Sequence, residues 1–489
     1  MLNVIKINEK DNVAVALSPL SAGSELYGVT LCTDVPQGHK FSLTPIKKGE
    51  NIIKYGYPIG HASSDIEPGC WVHTHNLKTN LGEIYNYEYK PAIKEMPRVA
   101  PTTFEGYLRP DGRAAVRNEI WIVPTVGCVN AIGDNLIRDA QHLVKGSIDS
   151  MINLAHPFGC GQMGEDNEIT RKALAAMVNH PNAGAVLVLG LGCEYNNIPV
   201  FQEELGEWDS DRVKFLNCQT SSDEYADGAA LLKELAEYAG QFKRQPISTE
   251  KLVVGLKCGG SDGLSGITAN PLIGAFSDML ISQGGSTILT EVSEMFGSET
   301  IITNRAINED VFNRSVKMIN DVKEFYIRHD QVIYENPSPG NKDGGISSLE
   351  DKSLGCTQKG GTAPVVDVIE YAGQIKTRGL NLLSSPSSDI VSANALAMAG
   401  AHIVLFSTGR GTPFACPAPT VKVATNTDLF NHKRNWLDFN AGVLAQGASM
   451  EEVSRDFFDY IISVASGEKT MGEIHGTRDF TIFKQGVTL

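Results

Sequence analysis

The sequence predicts an α/β protein in which a small β-rich domain precedes a large α/β region built from one or two parallel-sheet subdomains. Two patterns lead to this prediction. The N-terminal residues form short alternating apolar segments broken by Gly, Pro and Asp, which is typical of β-structure. The later residues form continuous apolar runs separated by helix-like stretches, which is typical of parallel strands covered by helices.

The predicted N-terminal domain covers residues 1–97. Its strand-like segments read VIKI, VAVAL, KFSLTPI and NIIKYGYPIG. The segment from Tyr87 to Thr103 then carries three prolines without a clear period. We therefore expect an extended linker and a domain boundary near residue 98.

The α/β region is expected to divide into residues 98–248 and 249–489, because the polar, Pro-containing segment 244–251 interrupts it. Its strand-like runs read IWIVPTVGC, GAVLVLGLGC, LVVGLKCGGSDG, GLNLLSSP and HIVLFSTGRG. Helix-like stretches such as TRKALAAMV and ADGAALLKELAEYAGQF lie between them. Parallel sheets bind ligands at the carboxyl ends of their strands, so we expect the active site in the Gly-rich turns that follow these runs.

Composition excludes several classes of function. The formal charge of -15 disfavours binding to nucleic acid or to an anionic membrane. No apolar run approaches the roughly 20 residues that span a bilayer, and the first residues interleave charges through any signal core, so a cytoplasmic protein is expected. In that compartment, the nine cysteines are expected as reduced thiols or metal ligands.

Three cysteines lie in glycine-rich turns at or near the ends of predicted strands: Cys160, Cys193 and Cys258. Glycine lets the backbone approach a ligand closely, so a thiolate in such a turn is presented to a ligand. Three thiolates leave one iron of a 4Fe-4S cluster open as a Lewis acid. The alternative is that each is a small buried residue at the end of a strand.

The N-terminal domain has its own polar cluster, in which His39 and Lys40 of GHK precede the segment VHTHN. On a strand, His73 and His75 would point to the same face and reach one divalent metal. The alternative is a surface strand whose histidines only form hydrogen bonds.

Two loops, NPSPGNKDGG and STGRGTP, each place one cation, Lys342 or Arg410, among glycines that expose backbone N–H groups. This combination suits a carboxylate or the hydroxyls of a polyol acid. The alternative is a tight turn with an exposed basic residue. Neither a GxxxxGK[ST] loop nor a dinucleotide fingerprint is present, so ATP chemistry and nicotinamide-dependent oxidation are disfavoured.

Taken together, these segments resemble the altronate/galactarate dehydratase family over nearly the whole length. The stretches DNVAVAL, DVPQGHK, KYGYPIGHA and VHTHNLKTNL resemble the small SAF-type domain of that family. Seven later segments resemble the large catalytic part of that family: RNEIWIVPTVGCVN, LVLGLGCE, CGGSDGLSGITANP, NPSPGNKDGG, LEDKSLGCTQK, STGRGTP and FKQGVTL. VHTHN, LGCTQK and FKQGVTL are closer to the altronate branch.

The resemblance implies a SAF (β-clip-like) N-terminal domain and a hydro-lyase of hexuronate catabolism that converts D-altronate to 2-dehydro-3-deoxy-D-gluconate. It also implies an iron cofactor, either Fe²⁺ or an iron–sulfur cluster, with Mn²⁺ as a substitute. The expected partner is a small aldonate, and a homo-oligomer is expected for a cytoplasmic enzyme.

The candidate site residues follow from the clusters and the resemblance together. The catalytic candidates are Lys40, His75 and Lys342. The substrate-binding candidates are His39, His73, Asn76, Ser261, Asp262, Asn341 and Arg410. The metal-binding candidates are Cys160, Cys193 and Cys258.

Three alternatives stay open at this point. Galactarate dehydration and a sulfolactate sulfo-lyase-like elimination use related sequences. A sugar-acid-binding protein without chemistry is the non-enzymatic alternative, although the GHK, HTHN and CGGSDG motifs are all present.

Overall fold

The computed structural model describes residues 3–82 and 84–486. The N-terminal region is β-rich, as predicted, with strands β1 (Val4–Ile5), β2 (Val13–Ala16), β3 (Glu25–Leu26), β4 (Val29–Thr30), β5 (Lys40–Ser42), β6 (Asn51–Lys54), β7 (Tyr57–Ala62), β8 (Trp71–Val72) and β9 (Leu77–Lys78). An antiparallel sheet has the order β1-β2-β5-β8, a second has the order β6-β7-β9, and β3 pairs with β4.

The predicted linker crosses the C-terminal region. The described residues between Lys78 and Thr103 form neither helix nor strand. Tyr89 donates its hydroxyl to the carbonyl of Ala306 at 2.8 Å, and the Ala92 amide donates to the carbonyl of Asn304. These bonds fasten the linker to the surface of the C-terminal region.

The middle region contains a parallel sheet. Its elements are β10 (Thr103–Leu108), β11 (Ala114–Ala115), β12 (Glu119–Pro124), α1 (Asn130–Asp139), β13 (Met151–Asn153), α2 (Gly164–Val178), β14 (Ala183–Gly190), α3 (Ile198–Leu205), β15 (Val213–Asn217), α4 (Glu224–Ala239) and β16 (Gln245–Ser248). The parallel sheet has the order β13-β12-β14-β15. Every residue of β14 is buried, as its apolar run predicts.

The polar segment 244–251 contains a strand. Its strand β16 pairs antiparallel with β10, from Thr103 opposite Ser248 to Gly106 opposite Gln245. β11 pairs with the other edge of β10. The chain therefore enters and leaves the middle region through two neighbouring strands.

The C-terminal region carries a larger parallel sheet. Its strands are β17 (Val253–Cys258), β18 (Ser286–Leu289), β19 (Val365–Ile369), β20 (Leu380–Leu383), β21 (Ile403–Thr408), β22 (Thr420–Ala424) and β23 (Phe439–Asn440). The described strands follow the order β19-β20-β18-β17-β21-β22-β23. The predicted α/β class with parallel sheets is confirmed.

The helices of this region are α5 (Ala269–Ser282), α6 (Glu299–Thr303), α7 (Glu309–Arg328), α8 (Pro339–Asp343), α9 (Leu349–Cys356), α10 (Asp389–Met398), α11 (Thr427–His432), α12 (Met450–Ala465) and α13 (Met471–His475). None of the helices in residues 3–82 and 84–486 combines the length and the apolar character that crossing a bilayer requires.

Candidate active site

Glycine backbones join the N-terminal region to the C-terminal region. Gly38 has a left-handed φ of +79°, and its carbonyl oxygen would lie 1.9 Å from a Cβ added to Gly263 and 2.4 Å from one added to Gly345. A side chain at Gly263 or Gly345 would push the two regions apart. The GHK turn therefore sits directly against the Gly-rich turns of the C-terminal region.

This contact buries an ion cluster around Asp351. Lys40 Nζ lies 2.8 Å from Asp351 Oδ2, and Lys54 Nζ lies 2.9 Å from Asp351 Oδ1. Both lysines come from strands of the N-terminal region and Asp351 comes from α9. The cluster holds two cations against one anion, so it carries an excess positive charge that suits an acidic ligand.

Burial and mutual charge set the protonation of this cluster. Burial lowers the pKa of Lys40 to about 8, although the charge of Asp351 opposes the shift. Burial also disfavours the charge of Lys54, but Asp351 raises the pKa of Lys54 above its usual value. The two lysines hold the pKa of Asp351 well below its usual range against the effect of burial. Lys40 is thus the lysine of the pair that loses its proton first.

The start of α9 fixes Asp351. The Ser348 side chain caps the helix by accepting from the Asp351 backbone amide. Ser347, one residue earlier, lies with its Oγ 2.5 Å from Lys40 Nζ and 3.1 Å from His73 Nδ1. A capped helix therefore aligns the carboxylate with the polar residues of the N-terminal region.

The three histidines surround Trp71, but not on a strand. β8 ends at Val72, and His73 starts a turn in which its amide donates to Asn76 Oδ1 at 2.9 Å. His39 and His73 are buried with ring centroids 5.0 Å apart, whereas His75 is exposed. A strand does not continue through VHTHN because the Asn side chain closes the turn.

The buried imidazoles of His39 and His73 are neutral, and hydrogen bonds fix the tautomer of His39. His39 accepts from Trp71 Nε1 at its Nδ1 atom, so its Nε2 atom donates to the carbonyl of Asp343 at 3.2 Å. Burial lowers the pKa of His39, and burial together with the Lys40 charge lowers the pKa of His73 to about 4. Both rings are neutral near pH 7.

A narrow cavity, with room for about one water molecule, lies between this cluster and the carboxyl end of β17. It is lined by Lys54, Tyr55, Ser261, Asp262, Gly263, Ser265, Gly266, Asn270, Ile346, Asp351, Lys352, Gly355 and Cys356. The buried Ser261 hydroxyl has no hydrogen-bond partner among the described residues. An unpaired buried hydroxyl is costly, and in this cavity it is available to a polar ligand.

Two further predicted residues support the cavity. Asn341 donates from Nδ2 to the carbonyl of Ser261 at 2.8 Å and accepts from Lys352 Nζ at 3.2 Å. Asp262 accepts from Thr425 Oγ1 at 2.9 Å, and burial raises the pKa of its carboxyl. Ser261, Asp262 and Asn341 thus come together, as their assignment to one binding site requires.

A second cluster lies behind the cavity. Within the described residues, one set brings three potential metal-ligand atoms within 4.8 Å of one another: Cys258, Glu294 and Cys356. The two sulfur atoms are 3.4 Å apart, and Glu294 Oε2 lies 3.2 Å from Cys258 and 3.1 Å from Cys356. All three side chains are buried. Two thiols and a carboxylate suit a single divalent transition metal.

Lysines balance the charge of this set. Lys352 lies 2.8 Å from Glu294, and Lys359 lies 3.0 Å from the neighbouring Glu291. Burial raises the pKa of Glu294, but the lysines outweigh it and lower the value to about 2. The hydrogen bond with Cys258, followed by burial, raises the pKa of Cys356 well above its usual value. The glutamate is therefore charged and the Cys356 thiol is protonated in this arrangement.

The remaining predicted residues lie elsewhere. Cys160 and Cys193 belong to the middle region and are exposed, so the structure does not bring them together with buried Cys258. Lys342 is half-buried on α8. Arg410 is exposed, and its amide donates to the carbonyl of Gly260 at the edge of the C-terminal sheet.

Several site residues were not predicted from the sequence. Lys54, Asp351, Lys352, Glu294 and Cys356 carry the two buried clusters. Three of them lie within LEDKSLGCTQK, a motif in which a lysine, an aspartate and a cysteine sit within six residues. That density of polar residues in a buried helix is the signal that could have identified them.

Comparisons with protein families cover all three regions. Residues 2–80 match the altronate/galactarate dehydratase SAF domain. Residues 106–240 match the second domain of D-galactarate dehydratase/altronate hydrolase. Residues 249–488 match the C-terminal domain of D-galactarate/altronate dehydratase.

Full-length relatives agree with these matches. The chain is 53% identical to an altronate dehydratase of Bacillus subtilis and 50% identical to one of Escherichia coli, with 100% of each chain covered in both comparisons. It is 32% identical to the L-threo-forming galactarate dehydratase of Escherichia coli over 95% of this chain and 93% of that one. The predicted resemblance is confirmed, and this chain belongs to the altronate/galactarate dehydratase family.

Proposed function

We propose that this protein is a hydro-lyase that removes water from D-altronate to give 2-dehydro-3-deoxy-D-gluconate, as a step of hexuronate catabolism. The names of the two relatives that match over their whole length support this activity. The observation that carries the proposal is the narrow cavity at the contact between regions, which is lined by Ser261 with its unpaired hydroxyl, by Lys54 and by Asp351. Lys40 contacts Asp351 from outside this lining.

The walls of the cavity carry groups that an aldonate needs, and the cavity would have to widen to admit the substrate, since it has room for about one water molecule. Lys54 and Lys352 supply positive charge for the carboxylate, and Ser261 and Asp262 face the same space for the hydroxyls. His39, His73, Asn76, Lys342 and Arg410 lie outside the cavity lining and are proposed as outer contacts of the substrate.

Dehydration requires removal of the C2 proton and departure of the C3 hydroxyl as water. Lys40 is the proposed base because burial brings its pKa to about 8, which leaves part of the population neutral near pH 7. Lys40 Nζ contacts Gly345, Ser347 and Asp351, so it would release one of these partners to accept the C2 proton. It would then return that proton to the departing C3 hydroxyl, which leaves as water. The resulting enol then becomes the 2-keto acid. His75, which is exposed beside Trp71, is the second candidate for the base.

Iron is the proposed cofactor, with Mn²⁺ as a substitute. Iron supplies a Lewis acid that stabilises the developing enolate and the leaving hydroxyl. The donor chemistry of the chain fits it in two places. Cys258, Glu294 and Cys356 suit one ion, and Cys160 and Cys193 lie in a separate thiol-rich part of the middle region. Three buried lysines next to the first set offset the charge of deprotonated thiols.

We also propose a cytoplasmic homo-oligomer. All nine cysteines of the sequence lie in the described residues and are free thiols. Free thiols in such number are typical of a reducing compartment, and closed homo-oligomers are the usual state of such enzymes.

Anaerobic turnover with iron and thiol tests the function. D-altronate, galactarate and sulfolactate are compared, with detection of the 2-keto-3-deoxy acid for the sugar acids and of sulfite for sulfolactate. We expect the highest kcat/KM with D-altronate. A higher value with galactarate or sulfolactate would reassign the substrate. Binding of D-altronate without product would favour a sugar-acid-binding protein.

A further inference from the structure

The middle region contains three cysteines at one edge of its parallel sheet. Cys128 follows β12, Cys160 follows β13, and Cys193 follows β14. These strands are neighbours in the order β13-β12-β14 and run parallel. Because the carboxyl ends of parallel strands lie along the same edge, the three cysteines lie at the same end of the sheet.

Hydrogen bonds tie the three cysteine loops together. The Gly127 amide donates to the carbonyl of Phe158 at 2.8 Å, which joins the Cys128 loop to the Cys160 loop. Thr125 Oγ1 donates to Glu194 Oε1 at 2.6 Å, which joins the end of β12 to the Cys193 loop. The cysteines are thus held on a connected backbone and not on independent surface loops.

Glycine makes this close approach feasible. Gly159, next to Cys160, has φ of +98°, and a Cβ there would lie 2.4 Å from the carbonyl oxygen of Thr125. Gly192, next to Cys193, has φ of +129°, and a Cβ there would lie 2.8 Å from Gln219 Oε1. Both positions exclude a side chain, which keeps each thiol near the shared edge.

The three thiols are accessible to solvent, because all three cysteines are exposed. Helices α1, α2 and α3 begin shortly after them, and helix N-termini favour negative charge.

The spacing of the ligand atoms distinguishes the three exposed cysteines from the buried set of Cys258, Glu294 and Cys356. Across residues 3–82 and 84–486, Cys258, Glu294 and Cys356 are the one set of three whose ligand atoms all lie within 4.8 Å of one another, so the three exposed sulfurs are spread more widely. A single ion needs closely packed ligands. An iron–sulfur cluster holds its cysteines farther apart because its own iron and sulfide lie between them.

We propose that Cys128, Cys160 and Cys193 bind a [4Fe-4S] cluster in the middle region, in which one iron has no cysteine ligand and faces solvent. The proposal rests on the proposed iron dependence, and it adds Cys128 and separates the cluster from Cys258. An open iron takes an oxygen ligand such as the carboxylate or hydroxyl of a hydroxy acid.

Cluster content is the test, measured without substrate. The full-length chain is purified anaerobically and reconstituted with Fe²⁺, sulfide and thiol. Iron, acid-labile sulfide and the visible absorption of thiolate-bound iron are then determined. We expect about four iron and about four sulfide per chain in the cluster. Cys128→Ser, Cys160→Ser and Cys193→Ser should each lose at least half of the sulfide and of the visible absorption.

Two variants serve as matched controls. Cys218 follows β15 at the same edge, but it packs against the hydrophobic core of the sheet, so Cys218→Ser should keep the cluster. Cys258→Ser should keep the sulfide because its thiol belongs to the buried set. Sulfide retained in all three exposed-cysteine variants, or lost in Cys258→Ser alone, would overturn the assignment.

A separate measurement tests whether one iron of the cluster lacks a cysteine ligand. Ferricyanide should take one electron from the cluster, which then releases one Fe²⁺ and leaves a paramagnetic [3Fe-4S]⁺ centre detectable by EPR. A cluster that keeps all its iron under this treatment would contradict three-cysteine ligation. A loaded cluster without altronate turnover would overturn the proposed function alone, and turnover by a chain that takes up no sulfide on reconstitution would overturn the cluster alone.

Discussion

Lys40 and Asp351 are 311 residues apart in the chain, yet their charged atoms lie 2.8 Å apart and both side chains are buried. The pair joins the N-terminal region to α9 of the C-terminal region. Lys54 completes the cluster on the other carboxylate oxygen. Stability and chemistry therefore depend on the same three side chains.

Asp351→Asn should lower the free energy of unfolding by about 3–5 kcal/mol, because it leaves two buried ammonium groups without a counter-charge. Urea denaturation followed by circular dichroism measures the change. Asp65→Asn is the matched control, since Asp65 pairs with Lys47 at the surface and should leave stability unchanged. Equal effects of the two substitutions would show that burial does not strengthen the Asp351 cluster.

The pH dependence of turnover should report Lys40. The base form of Lys40 is the neutral amine, so kcat/KM should rise with pH and level off above about 8, the value to which burial lowers its pKa. Lys40→Met should remove nearly all turnover. A flat profile in this range, or wild-type kcat in Lys40→Met, would exclude Lys40 as the base.

Ser261→Ala should change stability and binding in opposite directions. Removal of an unpaired buried hydroxyl should raise the free energy of unfolding by about 1 kcal/mol. Loss of one hydrogen bond to substrate should raise KM about tenfold. Denaturation and steady-state kinetics measure the two effects.

Ser353→Ala is the matched control for this prediction. Ser353 is also buried with an unpaired hydroxyl among the described residues, but it does not line the cavity. Its substitution should affect stability similarly and leave KM unchanged. The same KM increase in both variants would mean that Ser261 does not contact substrate.

Thiol alkylation should distinguish the exposed cysteines of the middle region from the buried cysteines of the C-terminal region by their reactivity. In the iron-free chain, iodoacetamide should label Cys128, Cys160 and Cys193, which are exposed, but not Cys258 and Cys356, which are buried. Peptide mass spectrometry measures labelling at each site, and unfolding in urea should expose all of them. Rapid native labelling of Cys356 would show that the buried set opens to solvent.

The sheets could be predicted from the sequence, whereas the contacts between regions could not. The fully buried run of β14 predicts a central parallel strand because both of its faces are covered. The same reasoning places Cys258 at a strand end. Its neighbour Cys356 lies 98 residues later on a helix. No local pattern connects the two residues, because their proximity depends on how α9 packs against the sheet.

The histidines show a second limit of prediction from the sequence, because an alternating pattern does not ensure a strand. Alternation predicted that His73 and His75 share one face of a strand, but the Asn76 side chain closes a turn and leaves one histidine buried and the other exposed. A side chain that satisfies a backbone amide competes with strand pairing. His39 and His73 still meet, through tertiary packing around Trp71.

The pairing of β10 with β16 brings the two ends of the middle region next to each other. Its first and last strands lie side by side at the spacing of neighbouring strands, about 5 Å. A unit whose two ends are adjacent can be gained or lost without stretching the chain on either side. In this protein, one face of the thiol-rich sheet has a core of its own, whereas the other face shares its core with α10 and the sheet of the C-terminal region. The middle region is therefore joined to its neighbour by packing as well as by the two adjacent chain ends.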